Sequence, residues 1–327
     1  MVYKDIVYGK LEFSEPVILD LINSNVLQRL KDIDQIGYFH HYFPNLETFS
    51  RLEHSLGVFA LLRKSNALIE EQIAGLIHDV SHAVFSHCID YVLDSGSEKN
   101  HSHQDDIFEE FVRKSEIPDI LERYGIDTNF ILDKHNFPLL EKELPDLCAD
   151  RLDYSLRNGI HYKEIDIDKI NYFLKNLYVD ERKWIFKDFE SAKKFAEYFL
   201  KMNNIYYSDL SSAKMFRTVG DTLKHALEKE YITKKDLYTT DKQVLDKVKK
   251  YLDKDKKLKI LFDRMDGKIK IENNPNNYDV KVFCKSRIVD PLCHYNGRIL
   301  RVSDIEKSWQ EVIRKESQPK EYFLKFV

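Results

Sequence analysis

The sequence predicts a mostly α protein, with a helical body over residues 1–235 and a small α/β appendage over residues 236–327. Three observations carry that expectation. Only 10 Gly and 8 Pro among 327 residues leave few turn formers for a loop-rich β protein. Apolar residues recur near the helical period in segment after segment up to residue 235. Beyond it, "GKIKIENNPNNYDVKVFCKSRIVD" alternates like a strand, an Asn/Pro turn and a second strand.

Taken in order, residues 1–13 read as two short extended pieces around Gly9. Ser14 caps a helix with Pro16 early in it, and "VILDLINSNVLQRLKDIDQIG" continues it to a glycine stop at Gly37. "YFHHYFPNLETFSR" is an aromatic-rich loop. A helical pattern returns from His54 to Lys64, and a second helix follows from Ile69 to about His87. "LDSGSEKNHSHQ" is a polar loop, Ser102 to Lys114 and Ile117 to Tyr124 are helices, and "LPDLCADRLDYSLRNG" is a helix ending at Gly159. Asp188 to Lys201 and Ser211 to Glu230 add further helices. "KKYLDKDKKLK" is a charged helix end with a solvated face. "GRILRVSDIEKSWQEVIRK" supplies a strand and a closing helix.

The bulk numbers exclude several classes. Hydrophobic content of 43% with 32% charged residues fits a soluble globular chain. A net charge of −4 gives no case for a dedicated nucleic-acid binder. Cys88, Cys148, Cys284 and Cys293 are scattered without a CxxC, so neither a disulfide framework nor a zinc ribbon is expected. The opening residues lack a signal-peptide core, and no apolar run is long enough to span a bilayer. A cytoplasmic protein without a membrane partner is the expectation.

"EQIAGLIHDVSHAVFSH", residues 71–87, holds the chemistry. Ile73, Leu76, Ile77, Val80, Val84 and Phe85 read as a buried face, yet His78, Asp79, His82 and His87 interrupt it with groups costly to bury unpartnered. Either they satisfy one another or they converge on a ligand. A hard or borderline divalent metal takes imidazole nitrogen and carboxylate oxygen together and leaves positions open for water and substrate. "SRLEHSLGV" offers His54 as a further ligand, and "DLCADRLDY" offers Asp150.

The ordered motifs "RLEHSLGV", "AGLIHDVSHAVFSH", "HQ" and "ADRLDY" resemble the HD-domain metal-dependent phosphohydrolases over roughly residues 1–165. Within them the chain is most similar to the deoxynucleoside triphosphate triphosphohydrolase branch, which includes the SAM-and-HD-domain enzyme. The resemblance implies an HD-domain helical core and metal ligands His54, His78, Asp79 and Asp150 for one divalent ion per site. It leaves Mn, Fe, Mg, Ni and Zn open, and allows a second metal. It places His82, His87, Asp90 and His103 where the branch keeps catalytic and phosphate-contacting groups. Gln35, Arg51, Arg151 and Tyr154 fall at substrate-contacting positions. The substrate it implies is a nucleotide, a dNTP first, and the assembly a homodimer or higher homo-oligomer.

Departures accompany the match. Asn23 and Lys31 stand where members activated by guanine nucleotide carry Asp and Arg, so hydrolysis without added GTP is expected. Arg157–Asn158 replaces Arg-Asp, and Gln104 follows His103 in place of Glu. Two other readings stay open. One is an HD-type phosphodiesterase with two metals, acting on a cyclic nucleotide, dinucleotide or short oligonucleotide. The other is a regulatory protein with a vestigial site.

Overall fold

The computed structural model describes residues 1–93 and 99–327. The expected polar loop at 93–104 therefore lies partly outside the described residues. The chain opens on an antiparallel hairpin of Val2–Asp5 and Gly9–Glu12. Asp5 Oδ1 makes the turn by accepting the backbone N–H groups of Val7 and Tyr8 at 2.8 and 2.9 Å.

The helix expected to run on to Gly37 is broken. Pro16–Ile22 ends, and a second helix, Asn25–Arg29, starts under the Ser24 cap. Ser24 Oγ donates to the Leu21 carbonyl at 2.6 Å, and Gln28 Nε2 donates to that of Ile22 at 2.7 Å. Local side-chain bonds of this kind compete with the helix ladder, and here they win. The first N-cap is Glu15 and not Ser14.

Arg51–Lys64 begins three residues earlier than its apolar pattern suggests, because Ser50 and Glu53 form a capping box. It packs against Ile69–Ile77 on one side and Ala149–His161 on another. Gly57 permits the second contact. A Cβ there would lie 2.0 Å from Arg157 Nη2 and 2.1 Å from Asp153 Oδ1.

The helix expected from Ile69 to His87 stops at Ile77, with His78 as its C-cap. The reason is local. His78 Nδ1 turns back onto the Gly75 carbonyl at 2.7 Å, and the following residues make tight turns, Val80 N–H to Ile77 and His82 N–H to Asp79. Phe85 and Ser86 then adopt left-handed φ values of 55° and 51° before the 3-10 turn Ser86–Tyr91. Non-glycine residues hold that conformation only where the surroundings over-determine it. Here Asp241 Oδ1 accepts the Phe85 N–H at 2.7 Å, and Ser86 Oγ is held between Arg51 Nε and the Asp34 carbonyl.

Helices His103–Arg113, Ile117–Arg123, Ile167–Asn176, Phe189–Met202, Leu210–Glu228, Asp241–Lys249 and Lys256–Met265 complete the main helical framework. One sheet takes Leu177–Asp180, Lys183–Phe186, Leu292–Tyr295 and Arg298–Arg301 in that order, its middle pair parallel. It draws strands from both sides of residue 235. In a second sheet Lys320–Phe326 lies between Ile271–Asn273 and Val280–Cys284, antiparallel to both. The expected strand–turn–strand is thus present as two strands, but they pair with the C-terminal strand and not with each other. Mostly α with a sheet-bearing C-terminal region describes the architecture. Leu258, Phe262, Val282 and Leu324 belong to the same buried apolar cluster as Leu56, Phe59 and Ile77.

Candidate metal centre

Three elements deliver the polar cluster. Arg51–Lys64 brings His54, the end of Ile69–Ile77 brings His78 and Asp79, and the first turn of Ala149–His161 brings Asp150. His54 Nε2 lies 2.9 Å from Asp150 Oδ1, 3.3 Å from His78 Nε2 and 3.9 Å from Asp79 Oδ2. His78 Nε2 is 3.4 Å from Asp79 Oδ1 and 3.6 Å from Asp150 Oδ1. Bonds of about 2.1 Å to a divalent ion set neighbouring ligand atoms about 3.0–3.4 Å apart, so the His54, His78 and Asp150 donors are spaced to share one.

The far side of each histidine supports the same arrangement. His54 Nδ1 faces Asp153 Oδ2 at 2.7 Å, and His78 Nδ1 faces the Gly75 carbonyl. Both partners are acceptors, so each Nδ1 carries a proton, and once Nε2 gives up its own proton each ring can turn a lone pair into the cluster. Two lone pairs 3.3 Å apart beside two carboxylates cannot satisfy one another. They need positive charge between them. A proton supplies that charge when no ion does: burial alone would pull His78 down, but Asp79 and Asp150 overcome it and hold the imidazole at about 9, a proton that a divalent cation would displace. Against the cost of burial, protonated His78 and Arg51 hold Asp79, and His54 and His78 hold Asp150, well below the usual carboxylate range. The donor set fits a divalent cation.

Beyond the cluster runs a row of imidazoles. His82 Nε2 is 3.4 Å from Asp79 Oδ1. The His82 and His87 rings meet edge-on at 5.3 Å, and His87 stacks on His101 at 5.0 Å. Burial, reinforced by Arg51, pulls His82 down to about 4. Burial with His82 lowers His87, and burial with His87 lowers His101, so the row is neutral at pH 7. Asp90 Oδ1 accepts the His103 backbone N–H at 3.2 Å, while its Oδ2 sits 3.6 Å from His87 Nδ1, too far for a hydrogen bond. His103 Nε2 lies 3.0 Å from the Tyr238 hydroxyl, and the metal-binding group of His54, His78 and Asp150 does not include it.

The remaining expected positions surround this core. Arg51 spends all three nitrogens inside the protein, on Asp79 Oδ2 at 2.6 Å, Ser86 Oγ at 2.8 Å and the Gln35 carbonyl at 3.0 Å. Gln35 Oε1 is buried with no partner among the described residues. Arg151 Nη1 and Nη2 donate to the Asp146 and Lys142 carbonyls. The Tyr154 ring lies 6.5 Å from that of His54 and 5.6 Å from that of Tyr207.

Several contributions were not anticipated from the sequence. Asp153, one turn beyond Asp150, fixes His54. Arg157 ties Asp153 to Asp5 through bonds of 2.9 and 2.8 Å. The i, i+3, i+7 spacing of 150, 153 and 157 on a helix face was the available signal. His101, Tyr91 and Tyr238 carry no such periodic mark.

Comparison with known proteins agrees with this geometry. The HD domain family model matches residues 51–158. Protein YdhJ of Bacillus subtilis is 33% identical over 309 residues, 94% of this chain and 93% of that one. The metal-dependent phosphohydrolase cns2 of Cordyceps militaris is 37% identical over 167 residues, 50% of this chain and 47% of its own length. The mouse deoxynucleoside triphosphate triphosphohydrolase SAMHD1 is 30% identical over 215 residues, 54% of this chain and 31% of its own. The chain thus spans less than half the length of these two named enzymes. Among solved structures, a phosphohydrolase from Bacteroides thetaiotaomicron superposes with a TM-score of 0.75 at 18% identity, covering 100% of this chain and 99% of that one. That match speaks to fold alone. The chain belongs to the HD-domain family, as a metal-dependent phosphohydrolase.

Proposed function

We propose that this enzyme hydrolyses a nucleotide phosphate, with a deoxynucleoside triphosphate as the favoured substrate. The observation that carries the reading is the convergence of the two Nε2 atoms and the Asp150 carboxylate, with Asp79 Oδ1 beside His78 at 3.4 Å and both Nδ1 atoms anchored. A divalent cation held there supplies an acidified water and a Lewis acid for a phosphoryl oxygen. The protein supplies the rest. Asp153 and the Gly75 carbonyl keep His54 and His78 in the ligating tautomer. His82 and His87, neutral and adjacent, offer ring nitrogens for a hydrogen bond to the substrate beside the cluster. Tyr154, over His54, lines the place for a sugar.

The name of the mouse relative supports a nucleotide triphosphate as substrate, over the half of this chain that it matches. The same reading makes the protein a cytoplasmic homodimer or higher homo-oligomer, with one cation in each site. Purified protein incubated with Mn²⁺ and a panel of phosphorylated compounds, with products resolved by mass, tests it. Release of intact tripolyphosphate from a dNTP is the expected result. No turnover of any nucleoside triphosphate would refute it.

A two-metal phosphodiesterase draws on one observation. Asp150 also groups with Glu141 and Cys148 as a second possible ligand set, which is what a bridging carboxylate would show. Two ions per chain together with cleavage of a dinucleotide would put that reading in place of the first.

A further inference from the structure

The two arginines expected at substrate-contacting positions are largely engaged within the protein. Three of the five Arg51 N–H groups are taken by Ser86, Asp79 and the Gln35 carbonyl, and both terminal nitrogens of Arg151 donate to backbone carbonyls. A phosphohydrolase needs cations with free donors beside its metal, because the phosphate tail brings several negative charges into a partly dry site. Lys285 and Arg287 have such donors. Neither side chain has a hydrogen bond or ion pair among the described residues, and both are only partly exposed.

Their backbone is held across the site by two anchors. At one end the Tyr91 hydroxyl donates to the Phe283 carbonyl at 2.6 Å, and the same oxygen lies 3.2 Å from His101 Nε2. At the other end Asn203 receives the Arg287 N–H on Oδ1 at 2.8 Å and bonds Ser286 Oγ through Nδ2 at 3.0 Å. Asn203 opens the π-helical turn Asn203–Tyr207, and Tyr207 faces Asn158 and Tyr154 on the ligand-bearing helix. The segment therefore bridges the histidine row on one flank and the tyrosine wall on the other. The charge of Arg287 bears on His87, His101, Tyr154 and Tyr207. Burial, with Arg287 beside it, pulls the Lys285 ammonium down to about 8, while Asp105 and Glu141 draw it up. Arg287 disfavours the Lys285 charge, and an anion held by both would relieve that opposition.

We propose that Lys285 and Arg287, pinned between Tyr91 and Asn203, form the wall that grips the polyphosphate tail of the substrate. This rests on the reading of the enzyme as a nucleotide phosphohydrolase and names the residues that confer it. The two groups suit the task differently, Arg287 as a planar fork and Lys285 as a compact point charge.

The probe is inorganic tripolyphosphate with excess Mg²⁺, titrated calorimetrically into the whole enzyme and into Lys285→Gln and Arg287→Gln. Each substitution is expected to weaken binding ~10-fold or more, the scale of a lost charge-assisted bond. Bound metal and the melting temperature should stay at wild-type values. With a dNTP, KM should rise by a similar factor while kcat changes little. Lys285→Arg and Arg287→Lys should recover most of the affinity, which separates charge from packing. Wild-type affinity in both glutamine variants would overturn the proposal, and so would charge-retaining variants as weak as the glutamine ones. Failure of the functional reading looks different. Tripolyphosphate would still bind through these two residues, while no nucleoside triphosphate would be turned over.

Discussion

His54 is used at both of its nitrogens, and that divides the roles around it. Nε2 belongs to the metal-binding group, while Nδ1 is committed to Asp153. Removing Asp150 strips the cluster of the carboxylate whose one oxygen lies 2.9 Å from His54 Nε2 and 3.6 Å from His78 Nε2, so Asp150→Ala should lose bound metal and turnover together. His103 is outside the ligand group, with its backbone N–H on Asp90 and its Nε2 beside the Tyr238 hydroxyl. His103→Ala should keep its metal and lose about 10²-fold in rate, the scale of a missing acid or base. Metal analysis of both variants beside their turnover checks the pair, and an empty metal site in His103→Ala would join that residue to the ligands. At this scale the sequence was informative, because histidines and aspartates in apolar helical surroundings stand out. His54, His78, Asp79 and Asp150 lie together in space although nearly a hundred residues separate the first from the last. Lys285 and Arg287 had no such contrast, since they lie in a chain with 51 basic residues.

Elements decide how firmly that cluster is held. The Arg51–Lys64 and Ala149–His161 helices touch at Gly57, where the Arg157–Asp153 pair fills the space a side chain would need. Gly57→Ala must displace a buried ion pair, so it should destabilise by more than the ~1–3 kcal/mol of ordinary overpacking. A thermal melt within a degree or two of wild type would contradict the tight contact. Arg157 is 1% exposed and neutralises Asp5 and Asp153, both buried. Arg157→Leu strands two carboxylates and should cost about 3–5 kcal/mol. It also frees Asp153 to rotate away from His54, so metal affinity should fall ~10–100-fold in the folded fraction. Denaturant melts and metal titration read the two effects separately. Apolar periodicity carried the expected helix past Ile77 because Val80, Val84 and Phe85 are buried too, although by turns and not by a helix. Burial can be read from composition, but the left-handed φ values of Phe85 and Ser86 cannot, for neither residue type advertises them.

Across the whole molecule, the mostly helical character was legible and the strand pairing was not. The Leu177–Asp180 and Lys183–Phe186 hairpin turns at Glu181 and Arg182, with φ of 45° and 57°, where Asn-Gly is the usual signal. Asn296–Gly297 does carry that signal, and it marks the hairpin of Leu292–Tyr295 with Arg298–Arg301. Long-range pairing also escapes local reading in the case of Asp241, which joins the N-terminal and central segments to a late helix. Its Oδ2 accepts the Asp34 N–H at 2.9 Å and its Oδ1 that of Phe85, so it braces the turn carrying His82 and His87. Burial pushes this carboxyl up to about 7, although the two N–H donors favour the ionised form. An unfolded aspartate titrates near ~3.9, so between about 4 and 7 the folded state holds a proton that the unfolded state has released. Unfolding then sheds a proton, and this group's contribution to stability falls as pH rises through that window. In Asp241→Asn the amide oxygen accepts one N–H while its NH₂ opposes the other, which costs about 1–3 kcal/mol but does not titrate. The stability gap between wild type and Asp241→Asn, measured by urea unfolding, should therefore narrow from pH 5 to pH 7 and level off above it. A gap constant across that range would show that Asp241 is ionised throughout and that its two backbone donors outweigh its burial.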